Sequence, residues 1–117
     1  MNPGEKQTYD VLITELQAAK DYTKVGDFNA LFLGAEAINS ALAFLTDALI
    51  RFEQEYRSKI IQYEELGDSH ARAETKARTT EEYRRYRKLD LIFERADEHI
   101  KLLKKFRDVM GNEYLRS

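Results

Sequence analysis

The sequence predicts an all-α protein. Two long helices pair head to tail as a coiled-coil-like antiparallel hairpin, and a short N-terminal helix packs on the base. Three observations predict this. One Pro, at position 3, and five Gly in 117 residues leave little to interrupt a helix, and Ala, Glu, Leu, Arg and Lys dominate. The apolar residues Phe28, Leu31, Ala35, Ile38, Leu42, Leu45, Leu49, Phe52, Tyr56, Tyr63 and Leu66 fall at alternating steps of three and four, with only Lys59 out of phase. A mean step of about 3.5 is the seam of a helix wound against a partner. A matching series, Tyr86, Leu89, Phe93, Ala96, Ile100, Leu103, Phe106 and Met110, comes after Gly67, so a second rod can face the first.

Helix 1 is predicted over about 5–23, with the stripe Tyr9, Leu12, Ile13, Leu16, Ala19 and Tyr22 at helical spacing. Gly26 suits a left-handed cap and Asp27 an N-cap for the second helix. Helix 2 is predicted over about 28–66, roughly 58 Å at ~1.5 Å per residue. Between Phe28 and Ile50 a second stripe, Leu33, Ala37, Ala41, Phe44 and Ala48, accompanies the seam. A helix apolar on two faces needs two partners. From Arg51 onward only the seam remains, and one partner suffices.

Gly67-Asp68-Ser69 reads as the turn, with Asp68 or Ser69 capping the next helix. Helix 3 is predicted over about 70–111. Small residues at its start (Ala71, Ala73, Ala77) permit close approach, while Thr79 with Glu82 reads as a capping box and offers a break near Ala77–Thr80. Folding helix 3 back from Gly67 sets Leu49 against Tyr86, Leu45 against Leu89, Leu42 against Phe93, Ala35 against Ile100 and Leu31 against Leu103. A second stripe (Ile92, His99, Leu102, Val109) appears only in the C-terminal half. The expected shape is a three-helix base with a two-helix stalk, one domain over 1–117.

Such a thin bundle has little core. With only helices 1 and 3 as cover, Phe32, Leu33 and Phe44 stay partly exposed, so self-association through the base as a two-fold homodimer is expected. Charge is abundant but nearly balanced, at net −2, so no global field steers the chain to nucleic acid or an anionic membrane. The apolar part of helix 2 holds Glu36, Asn39, Ser40 and Asp47, the pattern of a buried helix rather than a bilayer span. Glu36 and Asp47 are expected to be semi-buried, with Glu36 in reach of Lys20 of helix 1 or a Lys of helix 3. The chain has no Cys, and the opening residues lack a signal-peptide pattern, so the expected location is cytoplasmic.

Chemistry-bearing patterns are sparse. A di-iron bundle needs Glu three residues before His on facing helices, but Gly67 precedes His70 and Ala96 precedes His99 at that spacing. Asp97, Glu98 and His99 are consecutive and point in different directions. His99 therefore reads as a satisfied core histidine and His70 as a solvated tip residue. No nucleophile elbow or phosphate-binding loop is present, so no cofactor, metal or enzymatic activity is expected. The segment Glu82-Tyr83-Arg84-Arg85-Tyr86-Arg87-Lys88 interleaves four cations with two aromatics, a composition suited to phosphate and base contacts. Tyr86 falls on the seam, and Glu53 and Glu55 of helix 2 are expected near the arginines, which favours a solvated, partly neutralised face. Lys101, Lys104, Lys105 and Arg107 complement the dipole at the end of helix 3.

The turn reads Leu66-Gly67-Asp68 in a chain without Trp, unlike the Trp-x-Gly turn of type VII secretion substrates. The segment from Glu65 to Leu89, ELGDSHARAETKARTTEEYRRYRKL, resembles small all-helical phage and prophage accessory proteins: a tip, an Ala-rich helix entry, then a Glu-Tyr-Arg run. The resemblance implies an accessory role, as a partner of recombination or replication proteins or an inhibitor of a host system, and it transfers no functional residue. The expected function is a non-enzymatic protein-interaction module with an unidentified protein partner. The alternative is nucleic-acid binding through Tyr83, Arg84, Arg85, Arg87 and Lys88.

Overall fold

Asn2 starts the first helix. Its Oδ1 accepts from the Glu5 backbone N–H at 2.8 Å, and the Glu5 carboxylate accepts from the Asn2 N–H at 3.0 Å, a reciprocal capping box with Pro3 in the first helical position. This computed structural model describes the backbone of residues 1–116 and the side chains of residues 1–109, so Met110, the last expected seam position, lies outside the described side chains. Among the described residues the chain is all-α, with four helices: α1 (Pro3–Val25), α2 (Phe28–Glu65), α3 (His70–Ala77) and α4 (Glu81–Arg116). α1 thus begins before the expected Glu5, because of that box. Gly26, at φ 73°, ends it, and the Asp27 carboxylate accepts from the Ala30 N–H at 3.1 Å to open α2. Gly67, at φ 103°, turns the chain, and Ser69 caps α3.

The single third helix expected over 70–111 is two helices. Thr79 does not form a capping box with Glu82; its hydroxyl donates instead to the Lys76 carbonyl at 2.7 Å. The cap lies one residue later. The Thr80 hydroxyl donates to the Ala77 carbonyl at 2.6 Å and accepts from the Tyr83 N–H at 3.4 Å. Threonine hydroxyls compete with the helical ladder for backbone partners, and two in succession stop α3 and start α4.

α2 is the spine. α1 and α4 each pack along it and α3 covers its far end, in a body of 67 × 31 × 21 Å. Contacts between α2 and α4 run in opposite senses: Phe28 meets Phe106 at 5.1 Å between ring centroids, and Tyr56 meets Tyr83 at 4.9 Å. Leu45 and Leu89 share one apolar cluster, and Leu31 and Leu103 another. At the far end Ala73 and Ala77 are fully buried against Ile60, with Tyr56 and Tyr63 beside them.

The centre of the core is rotated from the predicted seam. Leu31, Ile38, Ala41, Leu45, Ala48 and Phe52 are buried, whereas the seam residues Ala35, Leu42 and Leu49 are half-buried. α1 causes the rotation, because Tyr9 and Leu12 pack on the side of α2 that carries Ala41 and Ala48. Each of the fully buried side chains Leu12, Leu31, Ile38, Leu45 and Leu89 contributes ~1.5–3 kcal/mol of transfer free energy. Leu66, placed on the seam by the sequence, is 81% exposed because the helix has ended there.

An ion pair between a buried carboxylate and a half-exposed guanidinium fixes α1 to the spine. Glu5 is only 5% exposed, and its carboxylate lies 2.9 Å from the Arg51 guanidinium. The Asn2 N–H, then Arg51, hold the Glu5 carboxyl below its ordinary range against the opposing effect of burial. Glu36 and Asp47, expected to be semi-buried, are exposed, and no Glu36–Lys20 pair forms. α1 touches α4 sparsely and covers only the start of its second stripe. Ile92 is buried, His99 is half-buried, and Leu102 and Val109 are exposed.

Candidate interaction surfaces

Two surfaces were legible as candidates, the apolar base and the basic segment at the start of α4. The structure treats them differently.

On the base, Leu33 is 75% exposed and Phe44 is 55% exposed. Both lie on the α2 face reached by steps of four, three and four: Leu33, Ala37, Ser40, Phe44. α1 flanks that face with Thr8 and Val11, and a shallow depression of about 370 Å³ lies between Val11, Ala37, Ser40 and Phe44. No charged side chain lines it. Phe32 is separated from this face. It is half-buried beside Ala19, Leu31 and Leu103, so it serves the α2–α4 packing rather than the exposed patch. α2 contains a window long and apolar enough to cross a membrane, yet only 22% of that window is buried. A single-chain core helix would be mostly covered, so the apolar surplus lies at the surface.

At the start of α4 the charges are largely spent on acids of the same helix. Arg84 pairs with Glu81 at 3.3 Å, Arg85 reaches the same carboxylate at 4.0 Å, and Arg87 bridges Asp90 at 2.7 Å and Glu94 at 3.2 Å. The expected partners on helix 2 are not used, since Glu53 pairs with Arg57 one turn away at 2.9 Å. Lys88 lies over the Tyr9 ring at 5.3 Å, and Arg85 lines a small cavity beside it with Met1 and Phe52. These contacts tie the basic segment to the start of α1. Tyr83, a candidate nucleic-acid contact, packs on Tyr56, and Tyr86 stacks on the same ring at 5.6 Å and 5°. The aromatic faces that a base would need are thus turned inward.

The histidines also depart from expectation. His70 is exposed but not simply solvated. Its Nδ1 lies 2.9 Å from Glu64 and its Nε2 lies 3.3 Å from Glu74, so the ring bridges the end of α2 and the body of α3. The hydrogen bond to Glu64, then the charges of Glu74 and Glu64, raise its pKa above 6.5. His99 is not a satisfied core histidine, because its Nε2 is buried without a hydrogen-bond partner among the described residues. Burial pushes its pKa below the ordinary imidazole value. Among the described residues no group of three or more His, Asp or Glu is placed to hold a metal ion. Glu5 is the buried acid that sequence reasoning missed. The signal was present as Asn2-Pro3-Gly4-Glu5, a capping box with proline inside it.

No protein-family model, curated protein or solved structure matches this chain.

Proposed function

We propose that the chain is a non-enzymatic helical interaction module that self-associates through the Leu33–Phe44 face of α2 and offers its α2–α4 hairpin to a protein partner. The observation that carries this reading is the uncovered apolar face itself. Two large side chains, Leu33 and Phe44, flank the small residues Ala37 and Ser40 on one face of α2, and the depression beside Ala37, Ser40 and Phe44 has no charged lining. Such a patch is complementary to its own copy. A two-fold axis near Ser40 sets the Phe44 of each chain against the Ala37 of the other, an isologous interface. Acidic Glu36 and Asp47, exposed on the same half of the helix, disfavour an anionic membrane as the cover. The resemblance over Glu65–Leu89 adds a setting, an accessory protein of phage type acting in the cytoplasm. Nucleic-acid contact through Tyr83–Lys88 is the weaker reading, because it must first break the pairs with Glu81, Asp90 and Glu94.

Light scattering coupled to size exclusion tests the reading. The expected mass is twice 13.7 kDa, falling to 13.7 kDa for Leu33→Glu/Phe44→Glu with unchanged helical circular dichroism. A wild-type chain that stays monomeric at high micromolar concentration overturns it.

A further inference from the structure

The open second stripe of α4 and the far flank of α1 enclose a groove of about 680 Å³. Its floor is apolar, with Leu16 from α1 and Leu102 from α4. Its rim carries Lys20 and Lys24 from α1 and Arg95 from α4, against one carboxylate, Glu98. None of these three cations makes an ion pair among the described residues. His99 lines the same groove, and it holds the buried side-chain nitrogen that lacks a partner.

We propose that this groove binds an amphipathic small anion, an acidic head on an apolar body. Two features converge on that class. The groove concentrates positive charge, three cations to one acid, on a protein whose net charge is −2. Leu16 and Leu102, beside the cations, give an apolar body a surface to lie on, and the volume is that of a small-molecule site. Lys20 and Lys24 are one helical turn apart, as are Arg95 and His99, so an anionic head held between the rims meets donors from both helices. The body then lies along Leu16 and Leu102, over the ~12 Å that separate Leu16 from Lys24 along α1. On the α1 wheel Thr8 and Val11 lie on one side of the buried stripe and Lys20 and Lys24 on the other. Ligand binding here and self-association through Phe44 are therefore independent and fail independently.

The experiment is an amide and imidazole NMR titration of the full chain with octanoate, octyl phosphate, octanol and inorganic phosphate. Saturable shifts centred on His99 and Leu102 are expected with octanoate or octyl phosphate, and more than about tenfold weaker binding with octanol and inorganic phosphate. Whichever octyl anion binds more tightly identifies the head as carboxylate or phosphate. Lys20→Gln/Lys24→Gln, a surface change with no effect on folding expected, should erase the preference of octanoate over octanol. Arg95→Gln should weaken the anion while leaving octanol unchanged. Equal binding of octanol and octanoate, equal binding of inorganic phosphate and octyl phosphate, shifts centred on Leu33 and Phe44, or no saturable shift at His99 each overturn the proposal.

Discussion

The two ends of α2 solve the same problem in opposite ways. At the far end, from Arg51 to Glu65, the helix has a single apolar stripe, and the chain closes over it. Ala73 and Ala77 bring α3 close, Tyr56 stacks on Tyr86, and ion pairs bind the edges: Lys59 with Glu82 across helices and Lys76 with Asp68 across the turn. Ile61 remains outside as an isolated apolar residue, which is ordinary for a protein surface. At the base, from Phe28 to Ile50, the helix is apolar on two faces. α1 covers one flank of the excess and α4 the seam, yet Leu33 and Phe44 stay outside. The far end covers its apolar stripe, and the base leaves two large apolar side chains uncovered. Surfaces that a chain leaves unfinished mark where other molecules belong.

The strongest way to break the comparison is to charge each face of the base in turn. Leu45→Asp places a carboxylate in the centre of the three-helix core, where Leu45 is fully buried. A loss of about 4 kcal/mol or more, seen as a collapsed thermal transition by circular dichroism, is expected. Leu33→Asp, on the exposed face of the same helix, should leave the monomer helical and act on the association state. If both substitutions unfold the chain alike, the base has no separate outer face. Next in size is overpacking of the far end. Ala77→Leu forces new bulk between α3 and Ile60, at a cost of about 1–3 kcal/mol in chemical denaturation. A neutral result would mean that the tip is loosely packed and the contrast with the base is false.

Much of this architecture is legible in the sequence, for a local reason. Gly26-Asp27 and Gly67-Asp68-Ser69 end and start helices through contacts within a few residues, so their types alone place the turns. The break at Thr79-Thr80 is harder, because two threonines weigh against an Ala-rich entry and a Glu-rich continuation that both favour helix. The rotation of the core cannot be read from α2 at all. Ala41 and Ala48 become core and Leu42 a flank only because α1 lies on that side, and α1 is held there by Glu5 and Arg51, far apart in sequence. The same non-local cause leaves His99 and Leu102 open, since helical spacing places them on a common face without saying whether anything covers it. The basic segment misleads in the other direction. Its cations are evident as a run, but Glu81, Asp90 and Glu94 neutralise them from the same helix.

Glu5 tests whether the base owes its geometry to that anchor. Its folded pKa is depressed, so the pair stabilises above the unfolded carboxyl value, near 4.5, and the contribution disappears as pH falls through the folded value. Glu5→Gln should cost about 1 kcal/mol at neutral pH, since Gln still accepts from Asn2 but loses the charge opposite Arg51. The difference from wild type should vanish at low pH. A constant difference across the acid range would remove the ion pair from the account of how α1 is held.

The smallest effect belongs to the far end, with the sign reversed. His70 gains Glu64 and Glu74 as partners in the folded state, which raises its pKa above 6.5. A group so raised stabilises fully below its unfolded value, and the contribution is lost as pH climbs through the folded value. Thermal midpoints should therefore decline slightly from pH 6 toward pH 8 in wild type, and His70→Gln should flatten that slope. The imidazole is largely exposed, so solvent and salt screen the pair, and added salt should shrink the wild-type slope. The comparison becomes sharper if Glu5→Gln alters only the acid limb and His70→Gln only the neutral one. The two ends would then be held by separate electrostatic locks, one buried under α1 and one in water at the α2–α3 turn. A neutral-pH slope that survives in His70→Gln would assign the titration to another group and leave the α2–α3 turn held by Lys76–Asp68 and apolar contact alone.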